Sequence, residues 1–307
     1  MRTSSDRGQA TVLTLVFLVV LLGMAALVLD VGSWYRADRA AQSTADAAAL
    51  AGAQALPYNP ANATTLAVQY GDKNGGGVGG SNVTISSSGI ATNDTITVHL
   101  TRPAPGVFSK LFGVNSVTVG AHATARASLM QQAQYIAPIG VNLKHPKLKG
   151  TVSCPCFGIG NPTTLPLGKT GAPGAFDILN VDGSHGGTGP QTLGDWILKG
   201  YSGYLPIGAY LSDPGAKWNS QPITDALTRR LGTDLLFPVY DTLTGSGSNA
   251  VYHVVGWVGF HLTGFTASGS SGSITGYFTQ VIWDGIESQA GDGSNPDLGA
   301  RVVKLID

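Results

Sequence analysis

Charge is scarce in this chain. Lysine, arginine, aspartate and glutamate supply only 12% of its 307 residues, and eighteen basic side chains balance eighteen acidic ones; about a quarter is usual for soluble domains. Without a basic excess there is nothing to neutralise a phosphate backbone, which excludes nucleic acid as a partner. No acidic tail argues for a solvating extension either. Cysteine is scarcer still: Cys154 and Cys156, one residue apart, are the whole supply, which excludes a disulfide-stapled scaffold and a four-cysteine zinc site. The six histidines are scattered, with no His-Glu-x-x-His zinc helix and no Gly-x-Ser-x-Gly nucleophile elbow. What the chain has in abundance is glycine, 43 residues, together with a hydrophobic share of 43%. That combination is too apolar for disorder and suits a turn-rich β domain in a cell envelope.

The absence of charge is sharpest near the N-terminus. Gln9 to Leu29 carries no ionisable side chain. A hydrocarbon core about 30 Å thick needs roughly 20 apolar residues at 1.5 Å rise each, so residues 10–29, including Ala10, Val12, Leu18 and Leu29, are predicted to form a transmembrane helix. A secretory signal peptide is the competing reading. Its apolar region is shorter, roughly 7–15 residues, and a small-residue cleavage site follows closely; here Asp30, Trp34, Tyr35 and Arg36 stand in that place. An uncleaved anchor is therefore expected. Arg2 and Arg7 before the span are matched by Arg36 and Arg39 after it, so the charge rule gives little direction. The short N-terminus and the Gly-, Ser-, Thr- and Asn-rich distal chain place residues 1–9 in the cytoplasm and residues 36–307 outside.

Beyond the span no proline occurs until Pro57, and alanine, the best helix former, dominates residues 40–53. One continuous helix is predicted, with residues 30–56 as an alanine-rich stalk. Ala41, Ala45, Ala48 and Gly52 recur near helical spacing and make one face shallow enough for close backbone approach. That face packs on the chain's own domain, on neighbouring subunits, or on both.

Together these residues resemble a known family. Gly8 with its neighbours Arg7 and Gln9, then Asp30, Gly32, Trp34 and Tyr35, then Gln42, Ala45, Asp46 and Ala47 are similar to the N-terminal signature of TadE/TadG-like proteins of the tight-adherence (Flp) pilus-assembly machinery. A looser similarity continues to about Arg126, and Pro238 to Asp241 with Tyr252 to Gly256 resemble the C-terminal region of some long members. The resemblance implies a membrane-anchored, extracytoplasmic, pilin-like accessory protein in the cell membrane. Its partners would be the lipid bilayer and, through the N-terminal helix, other pilus-assembly proteins or pilins, with homo-oligomers also open. Prepilin-type cleavage after Gly8 normally goes with a Glu five residues on. Leu13 occupies that place, so the N-terminus is expected to stay intact.

The rest reads as α+β. After Pro57 and Pro60 break the stalk, a short helix over residues 62–72, a hairpin of Val83–Ile85 with Thr95–Leu100, a turn near 107–112 and a strand over 117–127 make a small pilin-like unit, residues 57–130. Residues 136–307 are predicted to be a mostly-β domain, a barrel or sandwich, with strands around 237–241, 251–262, 274–283 and 301–306. Its one clear helix is Pro222 to Leu231, capped by Asn219 or Ser220 and followed by Gly232.

Chemistry is hard to find in it. Gly168-Lys169-Thr170 ends like a P-loop, but Thr163 stands where the first glycine belongs and Pro162 and Pro166 interrupt the loop. His253 and His261 share strand parity but lie about 26 Å apart along a strand, too far to share a metal. Asp182 and His185 with Asp241 read as turn and loop residues rather than a triad. Residues 292–297 lack the spacing of a calcium loop. Cys154 and Cys156 are candidates for a local disulfide; free or intermolecular thiols, a redox pair, and zinc with His145 and His185 are the alternatives. No catalytic residue, metal or cofactor is predicted. A non-catalytic accessory of pilus assembly is the preferred reading, and a membrane-tethered envelope enzyme or glycan-binding module is the alternative.

Overall fold

The computed structural model describes residues 5–89, 91–148, 154–168, 178–184, 187–213, 218–269, 271–289 and 295–306. Lys169, Thr170, His185 and residues 292–294, considered above as site candidates, lie outside them. The fold is α+β with a mostly-β C-terminal region, and the chain divides into two units, residues 1–127 with 304–307, and residues 128–303.

In the first unit, α1 (Ser5–Ala53) is a single helix of 49 residues. It contains the candidate membrane span, whose most apolar stretch has no buried residue. α2 (Pro60–Lys73) starts with proline in its first turn, and the Asn59 side chain accepts the Asn62 amide at 3.0 Å; both are ordinary helix-start devices. Ala63, Ala67 and Gly71 recur every fourth residue and are buried. β1 (Val83–Ser86), β2 (Thr95–Pro105) and β3 (Ser116–Ala133) form an antiparallel meander, with Ile85 opposite Ile96 and Ile96 opposite Ala125. The period of two is plain on its inner face: Ile96, Val98, Leu100, Ala121, Ala123 and Ala125 are buried, while His99, Thr101 and His122 are exposed. β3 outruns the predicted strand at its C-terminal end by six residues, and from Ser128 it belongs to the second unit.

The second unit contains β4 (Val141–Asn142), β5 (Thr163–Leu167), α3 (Pro190–Lys199), β6 (Leu205–Pro206), β7 (Gly208–Leu211), α4 (Gln221–Arg230), β8 (Asp234–Thr244), β9 (Val251–Ser268), β10 (Ser271–Thr279), β11 (Val281–Ile282) and β12 (Gly285–Glu287), with β13 (Ala300–Leu305) running out of it. A six-stranded sheet runs β4-β8-β9-β10-β5, with β7 also on β9. β4 is parallel to β8, and the other pairs are antiparallel. The core is aromatic: Phe237, Phe260 and Phe278 are fully buried, with successive ring centroids 5.4 and 5.5 Å apart. Each buried ring is worth roughly 1.5–3 kcal/mol of transfer free energy.

Two helices stand where one is predicted. α3 escapes a sequence reading because Gly189, Pro190 and Gly194 look like turn punctuation. The structure explains Gly194: a Cβ there would lie 2.6 Å from the Pro222 carbonyl oxygen, so glycine lets α3 and α4 approach closely. Asp297 also has a structural task, because it pairs with the buried guanidinium of Arg301 at 2.7 Å.

Cys154 and Cys156 are joined by a disulfide, and no free cysteine remains among the described residues. The loop it closes spans two residues, and the entropic effect of a cross-link on the unfolded chain shrinks with loop length. Replacing both cysteines with Ser is expected to shift the unfolding free energy by less than about 2 kcal/mol, read by denaturant titration of the full chain. A larger loss would mean that the bond fixes structure well beyond its own loop.

Candidate functional site

The candidate site is the stretch of α1 that begins where the apolar run ends. Asp30 is the first ionisable residue after that run, yet it is only 3% exposed. Its carboxylate accepts backbone amides from the far end of the β2–β3 hairpin: Val107 N–H at 2.6 Å and Phe108 N–H at 3.0 Å on Oδ1, with Ser109 N–H on Oδ2. These partners lie 77 to 79 residues away in sequence. Bonds from amides to an ionised acceptor are the stronger kind.

The lengths of the two elements explain why the tip reaches Asp30. A Cβ at Gly52 would meet Ile96 Cδ1 at 2.4 Å, so the base of β2 lies against the C-terminal end of α1. From Gly52 back to Asp30 the helix covers about 33 Å at 1.5 Å per residue. From Ile96 to Gly106 the strand covers about 33 Å at 3.3 Å per residue. The hairpin is therefore as long as the helical segment it lies along. Gln42 Nε2 donates to the His122 carbonyl at 2.8 Å, and Arg102 Nη2 donates to Thr44 Oγ1 at 3.0 Å, fixing the register between those ends.

Ala41, Ala45 and Ala48 have no exposed surface, and Gly52 is also buried. The shallow face of α1 is thus filled by the first unit itself, by α2 and β2. Asp46 accepts from Gln42 at 2.8 Å along the helix, and Ala47 is half-buried. Toward the apolar end the helix is bare. Ala10, Val12, Leu18 and Leu29 are exposed, Gly32 has open space around it, and Gly8 lies in the first turns of α1. Trp34 is half-buried, while the exposed Tyr35 ring lies under Arg39, with the guanidinium carbon 5.2 Å from its centroid. The sequence reading includes Asp30 only as part of a family signature; no local pattern shows what its carboxylate holds.

In the second unit the two histidines of β9 each face a carboxylate on β8. His253 Nδ1 is 2.9 Å from Asp241, and His261 Nδ1 is 2.7 Å from Asp234. Burial pushes the Asp241 carboxyl up, but hydrogen bonds from His253 and Thr242 outweigh it and hold it below the usual carboxylate range. An open groove of about 540 Å³ beside this pair is lined by Leu143, Ile207, Val255 and Pro296. Among the described residues no group of three or more His, Cys, Asp or Glu is placed to hold a metal ion.

Residues 8–55 match the family model described as putative Flp pilus-assembly TadE/G-like. No curated protein and no solved structure matches the chain. The matched segment begins just inside α1 and ends two residues beyond it, so it takes in the apolar span, Asp30 and the buried alanine face together.

Proposed function

We propose that this chain is a single-pass membrane protein that serves Flp-type pilus assembly without catalysing a reaction. Its N-terminus is cytoplasmic and both folded units are extracytoplasmic. The observation that carries the reading is the family match over residues 8–55, which coincides with one unbroken helix that is bare over its apolar half and packed over its alanine half. The division of labour follows from burial. Because the alanine face is occupied within the first unit, pilins or other assembly proteins would meet α1 through its exposed apolar surface, including Val31 and Tyr35. The N-terminus stays unprocessed, since Leu13 stands where prepilin-type cleavage after Gly8 would call for Glu.

Deleting the gene in its host is expected to abolish pili and surface adherence, with the wild-type chain restoring both. Pili retained in the deletion strain would overturn the proposal. Leu18→Asp places a carboxylate near the middle of the span, at a cost of about 2.5–3.5 kcal/mol on the insertion scale. That variant is expected to leave the membrane fraction and to fail in complementation. Peptide mapping of the purified protein is expected to find no mature N-terminus at Gln9.

A further inference from the structure

We infer that the tip of the β2–β3 hairpin is a second membrane contact, dipping its apolar side chains into the interfacial layer of the bilayer that α1 crosses. The inference rests on the membrane-anchor reading of α1. The tip, residues 106–115, carries Val107, Phe108, Leu111, Phe112 and Val114, all exposed; Leu111 and Phe112 are exposed to 81% and 84%. Five large apolar side chains in eight residues, with Lys110 as the only charge, make an unusual solvent-facing turn.

The height of the tip is set by Asp30. Residues 10–29 span about 30 Å as a helix, the thickness of the hydrocarbon core, so Asp30 stands at the membrane edge. The amides of Val107, Phe108 and Ser109 are bonded to its carboxylate, which holds the tip at that same level. The apolar tip is thereby continuous with the lipid-facing surface of α1, where Val28, Leu29 and Val31 are exposed. Trp34 and Tyr35 lie about one turn beyond Asp30, at the depth where aromatic side chains concentrate. Lys110 can extend its stem along the apolar surface and keep its ammonium among the headgroups.

The backbone of the tip is suited to this place. Besides the three amides held by Asp30, those of Leu111, Gly113 and Val114 bond to the carbonyls of Phe108, Lys110 and Ser109 at 3.0 to 3.1 Å. Gly113 closes the turn at φ +85°, a left-handed conformation that glycine adopts without strain. Backbone groups satisfied within the turn do not pull it toward water. An aqueous loop with the same geometry would gain nothing from Leu111 and Phe112.

The test uses the full chain in lipid bilayers, with an environment-sensitive fluorophore on one introduced cysteine. Leu111→Cys and Phe112→Cys report the tip, Val16→Cys the span, and Thr101→Cys a distant exposed point on β2. The expected result is blue-shifted emission at 111 and 112, quenched more by lipids with a nitroxide near the headgroup than by lipids with a deep nitroxide. Val16→Cys should be quenched best by the deep nitroxide, and Thr101→Cys by neither. Aqueous emission at 111 and 112 with a lipid-quenched 16 would overturn the proposal while leaving the anchor intact. Blue-shifted emission at the tip that no nitroxide lipid quenches would mean a protein partner and would also overturn it. An unquenched 16 would remove the anchor reading, and this proposal with it.

Discussion

Replacing Asp30 with Ala is expected to detach the hairpin tip from α1 while leaving both elements folded. Three amides, those of Val107, Phe108 and Ser109, lose their common acceptor at once. Methyl cannot accept a hydrogen bond, and the loss of a charge-assisted bond corresponds to roughly a ten- to hundredfold change in a local opening equilibrium. Hydrogen exchange of the full chain in detergent should therefore accelerate by roughly that factor at residues 107–109. The paired residues of β2 and β3 near Ile96 and Ala125 should keep their protection, because their register does not depend on the tip. Asp30→Asn retains one carbonyl oxygen in place and should fall between wild type and Ala. Unchanged exchange at residues 107–109 in Asp30→Ala would mean that sheet pairing alone holds the tip. The variant also bears on the membrane contact, since a tip released from Asp30 is no longer fixed at the level of the membrane edge.

What could be read from the sequence follows from the range of each signal. The unbroken α1 is legible because charge is absent from Gln9 to Leu29 and proline from everything before Pro57, and absence over a window needs no partner to interpret. The inner face of the meander is legible because alternation at Ile96, Val98 and Leu100 is local. α3 is not legible, because Gly194 is there for the Pro222 carbonyl, a contact the local sequence does not reveal. The bond from Asp30 to the tip is out of reach for the same reason, with nearly eighty residues between the partners. The short strands β4, β7 and β11 lack any alternation of their own and exist because a long neighbour offers them an edge: Val141 beside Val239, Tyr210 beside Tyr252, Val281 beside Ala300. The small-residue stripe of the stalk lies between these cases. Its spacing is visible at Ala41, Ala45 and Ala48, but spacing does not say whether the occupant is the same chain or another; only their complete burial against α2 and β2 does.

Replacing Ala45 and Ala48 together with Phe should have the larger effect on stability, because neither position has room. Both are fully buried, and nearby a Cβ added to Gly52 would already press on Ile96 Cδ1 at 2.4 Å and on the Ala63 carbonyl oxygen at 2.9 Å. Helix and sheet are this close because the side chains between them are small. A benzyl group must force β2 or α2 away from α1. Overpacking of this kind costs about 1–3 kcal/mol per site, and two adjacent sites share the same displaced neighbours, so their costs need not add. Against a domain stability of roughly 5–15 kcal/mol, the double variant should lower the unfolding midpoint clearly and open the first unit to trypsin at Arg126, which Ala127 follows. Ala40 supplies the control: it lies on the exposed side of the same helix, so Ala40→Phe adds the same bulk without a neighbour to displace. Loss of stability in the double variant but not in Ala40→Phe would identify packing, rather than helix propensity, as the cause. If the double variant melts and resists trypsin like the wild type, the alanine face is not where the hairpin packs. The register that carries the tip to Asp30 would then have to be set elsewhere.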